Sequence, residues 1–291
     1  GSNYARVITS SSAVSLYAIA TKNPRQKAFD EVFYTQNWRE LLDLVELDGV
    51  IVACSPELHF EIASSFLRNG IPVLLEKPGC LEVNHCSHLK FIALENNVPC
   101  MIGYTHLYSS AYRFLKSSVC NNGFHVKISS VGLSNGPFRD NTSVLWDWGS
   151  HDISMCLDFL GELPSRVDVR LEAADFKKPN ACIYSLNCQF ASGAEFNSIF
   201  GNISEKKETM FCVHQNKEKW CYDGLAHSVS QLNREAGDYT HTVFDSLPLT
   251  NLINEFAEVI INEVNYHPSL DLAINVTDVL SRAEINLNSL G

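Results

Sequence analysis

The sequence predicts an α/β protein, in which a doubly wound parallel sheet is followed by an α+β domain with an open, mostly antiparallel sheet. From residue 15 to about residue 104, short apolar β-type runs alternate with amphipathic stretches of helical period. Beyond residue 104, longer alternating strands separated by turns replace this rhythm. The chain has 291 residues, 45% of them apolar and 19% charged, which is typical of a folded protein with domains of about 150 residues.

Residues 1–105 are predicted to form the first domain from repeated βα units. Strands are expected at 15–20, 32–35, 49–54, 72–76 and 100–104, with helices at 37–45, 56–69 and 81–96. Pro56 opens the second of these helices and Gly70 stops it. A doubly wound domain normally begins with a strand that runs into G-x-G-x-x-G. This chain opens with Gly1-Ser-Asn-Tyr-Ala-Arg-Val-Ile instead, so the first strand is expected to be missing.

Residues 106–291 are predicted to form the second domain. Strands are expected at 126–133, 167–172, 182–190, 195–203, 209–214 and 217–222, and closing helices at 250–263 and 270–287. The sheet that these strands build is a natural surface for a symmetric contact between copies of the chain. A homo-oligomer formed through the antiparallel sheet is therefore expected.

The charge balance excludes some classes of partner. The chain carries 22 basic and 33 acidic side chains, a net charge of −11, which repels a phosphate backbone, and we expect no nucleic-acid partner. Its uncharged apolar runs fall short of the roughly 20 residues of a membrane helix, so no membrane partner is expected.

Ten cysteines occur without a CxxC pair or a secretory leader, which favours reduced thiols and a cytoplasmic location. The cluster Cys80, His85, Cys86 and His88 lacks a second ligand pair with zinc spacing, so no metal site is predicted.

Two short motifs carry the candidate chemistry. Glu76-Lys77-Pro78 ends a predicted strand, where open α/β sheets bind ligands, although a surface lysine before a strand-ending proline is an equally good interpretation. In Asp147-Trp-Gly149-Ser-His151, a helix would place Asp147, His151, Ser154 and Asp158 on one stripe. Buried ionisable groups need partners, so this polar stripe favours a site over a helix cap and a satisfied core histidine.

Taken together, these residues resemble the Gfo/Idh/MocA family of nicotinamide-dependent oxidoreductases. The resemblance rests on Glu76-Lys77-Pro78, on Cys54-Ser55-Pro56-Glu-Leu-His59 and on Asp147-x-Gly149-x-His151, in matching order and separation. Gly136-Pro-Phe-Arg139, shortly before Asp147, is similar to the branch acting on sugars and nucleotide sugars. The chain departs from the family in lacking most of the glycine fingerprint, and Ser154 stands where many members carry a second aspartate.

The resemblance implies a Rossmann-like dinucleotide domain and an enzyme that transfers hydride between NAD(P) and a hydroxyl or ketone of a sugar-type substrate. Oxidising an alcohol requires a proton acceptor, a task that suits His151, while Lys77 would stabilise the oxyanion and Asp147 would orient the imidazole or accept a sugar hydroxyl. The remaining expected cofactor contacts are Ser55, Pro56, His59, Glu76, Lys77 and Pro78. The expected substrate contacts are Tyr104, His106, Arg113, Arg139 and Ser154.

The strand expected at 15–20 corresponds to the second strand of a complete nucleotide domain, because the first strand is expected to be missing. The residues at its end predict the cofactor. NAD-specific folds usually place an Asp or Glu there, whereas NADP-specific folds offer a cation. In this chain the strand ends in Thr21-Lys22-Asn-Pro-Arg25 without a carboxylate. Lys22 and Arg25 therefore favour NADP(H), with NAD(H) as the alternative. A catalytically silent sensor or regulatory protein on the same scaffold remains the second hypothesis for the function, because fold does not fix function.

Overall fold

The computed structural model describes residues 1–22, 29, 31–119, 126–233 and 237–290. Parallel strands occupy the N-terminal third of the chain, and one large sheet occupies most of the remainder. This arrangement confirms the predicted fold class.

The N-terminal strands form two separate parallel sheets. The elements, in chain order, are α1 (Ser2–Thr9), β1 (Ala18–Ala20), β2 (Phe33–Thr35), a 3-10 helix (Trp38–Asp43), β3 (Val50–Val52), a 3-10 turn (Pro56–Leu58), α2 (His59–Arg68), β4 (Val73–Glu76), α3 (Val83–Glu95) and β5 (Cys100–Gly103). Strand β1 pairs with β2, and β3, β4 and β5 pair in that order. Strands β4 and β5 consist mainly of buried apolar residues. This composition is typical of a parallel sheet, because helices cover both of its faces.

The first element is a helix that the sequence analysis did not predict. Helix α1 lies against the carboxyl end of β5, where Gly103 leaves room for it. A Cβ atom added to Gly103 would lie 2.8 Å from the Tyr4 hydroxyl. Tyr4 itself is buried, with 5% of its surface exposed, and joins a small core with Leu74, Met101 and Phe256. This helix therefore ends up beside Glu76, the last residue of β4.

The C-terminal region holds an eight-stranded sheet in the order β13-β12-β11-β10-β6-β9-β8-β7. Its strands are β6 (Lys127–Asn135), β7 (Arg166–Ala174), β8 (Cys182–Gln189), β9 (Glu195–Gly201), β10 (Ile203–Gln215), β11 (Glu218–Asp223), β12 (Ser228–Asn233) and β13 (Tyr239–Val243). Every neighbouring pair is antiparallel except β6 and β9, which run parallel at the centre. Strands β12 and β13 are additions to the predicted set.

Helices cover one face of this sheet. They are α4 (Ser110–Ser118), α5 (Val144–Asp147), α6 (Gly149–Leu160) and α8 (Ser269–Leu290). Helix α7 (Pro248–Ile261) instead contacts α1 and the 3-10 helix Thr105–Tyr108. Strand β9 alternates exposed and buried residues, as expected for a sheet with one covered face. Helix α8 contacts α3 and β5 as well as α6 and β7, so it joins the two regions. The other face of the large sheet is exposed and includes Ile199, whose exposed fraction is 46%. Formation of a homo-oligomer through that face stays a prediction.

One pair of cysteines departs from the expectation of reduced thiols. Cys212 on β10 and Cys221 on β11 are direct cross-strand partners and form a disulfide bond. The prediction was wrong for this pair because the hairpin brings two cysteines nine residues apart to opposite positions. In the described part of the chain, no helix combines the length and apolarity needed to cross a bilayer.

Candidate active site

Lys77 and Asp147 meet at the carboxyl end of β4. The Lys77 Nζ donates to the Asp147 carboxylate Oδ1 and to the Asp147 backbone oxygen, each at 2.6 Å. Both side chains are largely buried, at 12% and 10% exposed. Lys77 is placed by the strand that precedes it, and Asp147 by the short helix α5. The structure therefore brings together the two motifs that the sequence singled out, from residues 70 positions apart.

The Glu76 carboxylate is held by two donors. Its Oε1 accepts a hydrogen bond from the Tyr4 hydroxyl at 2.9 Å, and its Oε2 accepts one from the Lys77 backbone amide at 2.8 Å. The Lys77–Pro78 peptide bond is cis. Together these contacts fix the backbone that carries Lys77 at the edge of the sheet. Tyr4 is a residue of this site that the sequence analysis did not identify.

His151 lies in the first turn of α6, one turn after Asp147. Its Nδ1 atom is buried and has no hydrogen-bond partner among the described residues. Burial, followed by the charges of Lys77, His106 and Arg139, lowers the pKa of His151 well below 6.5. The imidazole is therefore neutral at neutral pH, the form of histidine that accepts a proton.

Arg139 supplies a second positive charge beside Asp147. Its Nε lies 3.4 Å from the other carboxylate oxygen, Oδ2, and its side chain is 56% exposed. The loop that carries Arg139 is tied to a neighbouring loop, because the Asn180 side-chain amide donates to the Arg139 backbone oxygen at 2.7 Å. Asp147 is thus held between Lys77 on its inner side and Arg139 toward solvent.

His59 lies beneath the site rather than in it. The ring is fully buried. Its Nδ1 lies 3.0 Å from the backbone oxygen of Pro78 and 3.1 Å from that of Gly79, and its Nε2 lies 3.2 Å from that of Cys54. Because these contacts leave the ring no exposed edge, we propose a structural role for His59 in place of the expected cofactor contact. His59 joins the loop after β3 to the loop after β4.

We expect His59→Ala to lower the free energy of unfolding by about 3 kcal/mol, because it leaves a cavity and removes the partners of buried carbonyl groups. Urea unfolding followed by circular dichroism measures the change. The matched variant His88→Ala removes an exposed histidine of α3 and should change stability by less than about 0.5 kcal/mol. Equal stability of the two variants would contradict the structural role of His59.

The other predicted site residues divide into two groups. Ser55 and Pro56 are half-buried at the carboxyl end of β3, and Lys22 lies close enough to Cys54 to lower the pKa of that thiol against the larger effect of burial. These residues border the same edge as Glu76. Arg25 lies outside the described residues.

Three of the expected substrate contacts have other surroundings. Tyr104 is 1% exposed, inside the hydrophobic core. Arg113 pairs with Glu255 at 2.6 Å and donates to the Leu107 backbone oxygen. The Ser154 hydroxyl donates to the His151 backbone oxygen at 2.8 Å. The structure does not bring Tyr104 and Arg113 to the Lys77 site, since their partners hold them elsewhere, and the Ser154 hydroxyl is already occupied.

The geometry that remains is suited to removing a proton from a hydroxyl group. It combines a fixed ammonium group, a carboxylate between two cations and a neutral imidazole with a buried, unpaired ring nitrogen. An ammonium group in a partly buried site stabilises negative charge that develops on oxygen. A neutral imidazole accepts the proton that leaves.

Comparisons with known proteins show which proteins this chain is similar to. Residues 1–104 match the Gfo/Idh/MocA oxidoreductase family, described as an NAD-binding Rossmann fold. Inositol 2-dehydrogenase 2 of Saccharopolyspora erythraea is 28% identical over 127 residues, 42% of this chain and 38% of that protein. UDP-N-acetylglucosamine 3-dehydrogenase of Acidithiobacillus ferrooxidans is 27% identical over 130 residues, 44% of this chain and 40% of that protein. The matched segments thus span less than half of each relative.

A solved structure extends the likeness over both regions. A protein described as an oxidoreductase from Magnetospirillum magnetotacticum MS-1 is 26% identical, with a TM-score of 0.86, and covers 97% of this chain and 95% of its own. The match to the family itself lies in the N-terminal 104 residues, which carry Lys77 and the strand ends around it. The N-terminal 104 residues of the chain are therefore similar to the NAD-binding Rossmann domain of the Gfo/Idh/MocA oxidoreductase family.

Proposed function

We propose that this protein is an NAD(P)-dependent dehydrogenase or reductase that interconverts a hydroxyl group and a ketone on a sugar or nucleotide sugar. The observation that carries the proposal is the contact of Lys77 with Asp147 at the end of β4, together with His151 one helical turn after Asp147 and near enough to Lys77 for that charge to lower its pKa. The curated relatives, an inositol dehydrogenase and a nucleotide-sugar dehydrogenase, support a polyhydroxylated substrate.

In the oxidative direction, the substrate hydroxyl would lie between Lys77 and His151. His151 takes the hydroxyl proton on a ring nitrogen, and the Lys77 ammonium stabilises the alkoxide oxygen that results. Asp147 holds the Lys77 ammonium in position, which removes the entropy cost of orienting a long side chain. In the reductive direction the same groups act in reverse, and His151 returns the proton to the oxygen.

The edge that carries Lys77 suits a dinucleotide. Open α/β sheets bind nucleotides outside the carboxyl ends of their strands, where Lys22, Ser55, Pro56, Glu76, Lys77 and Pro78 lie. When bound, the nicotinamide supplies a hydride acceptor or donor.

Arg139 and Asp147 are the groups best placed to recognise the substrate by hydrogen bonds. Arg139 is half-exposed beside the Asp147 carboxylate, so its free N–H groups can donate to sugar hydroxyls or to a phosphate. Asp147 can accept hydroxyl hydrogen bonds on the oxygen that faces Arg139. We propose that this pair selects a polyol substrate and orients the reacting carbon toward the nicotinamide.

Two measurements test the proposal. Titration of the purified chain with NADPH and NADH, followed by fluorescence, should show saturable binding of at least one cofactor. Incubation of the same protein with the oxidised cofactor and a panel of polyols, sugars and nucleotide sugars should then produce reduced nicotinamide. Failure to bind either cofactor would overturn the proposal. Binding without turnover on any substrate of the panel would favour the catalytically silent alternative.

The Lys22→Asp variant tests the cofactor preference. We propose that NADP(H) binds more tightly than NAD(H), because one charge-assisted contact to the 2′-phosphate contributes about 1.5 to 3 kcal/mol, about a ten- to hundredfold preference. The variant should narrow or reverse that ratio of dissociation constants. Lys206→Asp, at an 80% exposed lysine of β10, should leave the ratio unchanged. Tighter binding of NAD(H) by the unmodified protein would contradict the preference.

A further inference from the structure

A second histidine lies against His151. His106 belongs to the 3-10 helix Thr105–Tyr108, which follows β5, whereas His151 belongs to α6. The centroids of the two imidazole rings are 5.1 Å apart, and their planes meet at 79°, so the edge of one ring faces the other. The contact therefore joins the nucleotide-binding sheet to the helix that carries the proposed proton acceptor.

Tyr222 anchors this second histidine. The Tyr222 hydroxyl lies within hydrogen-bond distance of His106 Nδ1, at 3.0 Å. Tyr222 is itself fully buried in strand β11, and its ring packs edge-on against that of Tyr112, with centroids 6.0 Å apart. Close-packed interior rings hold their positions. Tyr222 therefore offers a fixed partner that determines how the His106 ring is turned.

We infer that His106 is a positioning residue for His151. Tyr222 anchors the His106 ring against the His151 ring, so that an added proton is held on His106 first and His151 stays able to accept a proton from substrate. The inference rests on the proposed function in giving His151 the role of proton acceptor. The arrangement of the two rings itself stands on their geometry.

The charged groups around the pair favour this order of protonation. Burial, followed by Lys77 and His227, lowers the pKa of His106 to about 4. Burial, Lys77, His106 and Arg139 lower the pKa of His151 well below its usual value, and Arg139 is not among the charges that act on His106. Once His106 carries a proton, the repulsion between two imidazolium rings at this distance opposes a second one.

The nearby acids do not offset these cations at His151. The Asp147 carboxylate is bound by Lys77 and Arg139. Asp152 is the next residue of α6, but it is buried and its carboxylate accepts a hydrogen bond from Ser198 on β9 at 2.7 Å. Burial raises the pKa of Asp152 to about 7, so a large part of its population is uncharged at neutral pH.

Nuclear magnetic resonance of the full chain with nitrogen-15-labelled histidine tests the inference, with signals assigned from His106→Asn and His151→Asn. As the pH falls, the His106 ring should take its proton before the His151 ring. In both His106→Phe and His106→Asn, the His151 midpoint should rise by about one pH unit, a tenfold change in proton affinity. His106→Asn retains an amide near the Nδ1 position for Tyr222, so it guards against a folding defect in the phenylalanine variant.

The matched control is His85→Phe. His85 is a 40% exposed histidine on α3, and its loss should leave the His151 midpoint unchanged. A His151 midpoint that stays the same in both His106 variants would overturn the inference, as would a His151 ring that protonates before His106 in the unmodified protein. Circular dichroism confirms that each variant is folded before its titration is interpreted.

Steady-state kinetics give a second test once a substrate is known. The His106 variants should lower kcat about tenfold while KM changes less than about twofold. The acidic limb of the pH profile should shift to higher pH. A structural defect alone would not move that limb. The magnetic resonance titration requires no turnover, so an inactive wild-type protein would contradict the proposed function and still leave the order of protonation to be measured.

Discussion

Replacing Lys77 with methionine should lower kcat by about a thousandfold and leave the cofactor dissociation constant within about threefold of its original value. The reason is that the ammonium group interacts most strongly with the alkoxide, whose charge develops in the transition state. Methionine keeps the length and the apolar stem of the side chain but cannot donate a hydrogen bond. Steady-state kinetics and a fluorescence titration of the variant measure the two quantities.

Lys90→Met is the matched control for this experiment. Lys90 also pairs with an aspartate, Asp271, but at the surface, with 35% of its side chain exposed. Exposed ion pairs contribute little to stability and this one lies away from the proposed chemistry, so turnover should stay near its original value. Near-normal turnover in Lys77→Met would remove Lys77 from the mechanism. A loss that appears only in KM would assign it to substrate binding.

The second large effect is expected for His151→Asn. Asparagine keeps the approximate shape of the imidazole and cannot take up the proton, so kcat should fall by about a hundred- to ten-thousandfold. From the sequence alone, this histidine predicts an acidic limb near neutrality. The structure places this limb at a lower pH, because burial and the neighbouring Lys77 charge lower the pKa of His151.

The sign of the pH dependence follows from the direction of this shift. The unprotonated ring is the active form in the oxidative direction, so the wild-type rate should be constant around neutrality and fall as the pH drops through the lowered pKa. In His151→Asn this limb should disappear from the pH profile of kcat/KM. Survival of the same limb in the variant would assign the titration to another group. His85→Asn, a change at a partly exposed ring on α3, should retain both the rate and the limb.

The sequence predicted the parts of the fold that depend on local pattern. Strands β4 and β5 are short apolar runs bounded by turn residues, and both lie within one residue of the expected ranges. The motif around Lys77 was placed correctly at a strand end because that position follows from the alternation of strand and helix. The partnership of Lys77 with Asp147 was implied only by family resemblance, since no local signal links residues 70 positions apart.

Other parts of the site depend on burial, which a single sequence does not encode at one position. His59 follows the β3 loop, as a cofactor ligand would, yet helix α2 turns its ring inward onto backbone oxygens. Tyr4 and Tyr222 resemble ordinary core aromatics in the sequence, and only the tertiary structure places their hydroxyl groups beside Glu76 and His106. The parallel pairing of β6 with β9 likewise depends on strand order, which alternation leaves open.

Helix α8 has a consequence for the time course of synthesis. It contacts α3 and β5 in the nucleotide-binding region and α6 and β7 in the region of the large sheet, yet it is encoded by residues 269–290, at the far end of the chain. Domains emerge from the ribosome in order, the N-terminal one first. The nucleotide-binding region must therefore wait, with part of its apolar surface uncovered, until the last helix is made. During that interval the nascent chain exposes apolar surface that helix α8 later covers.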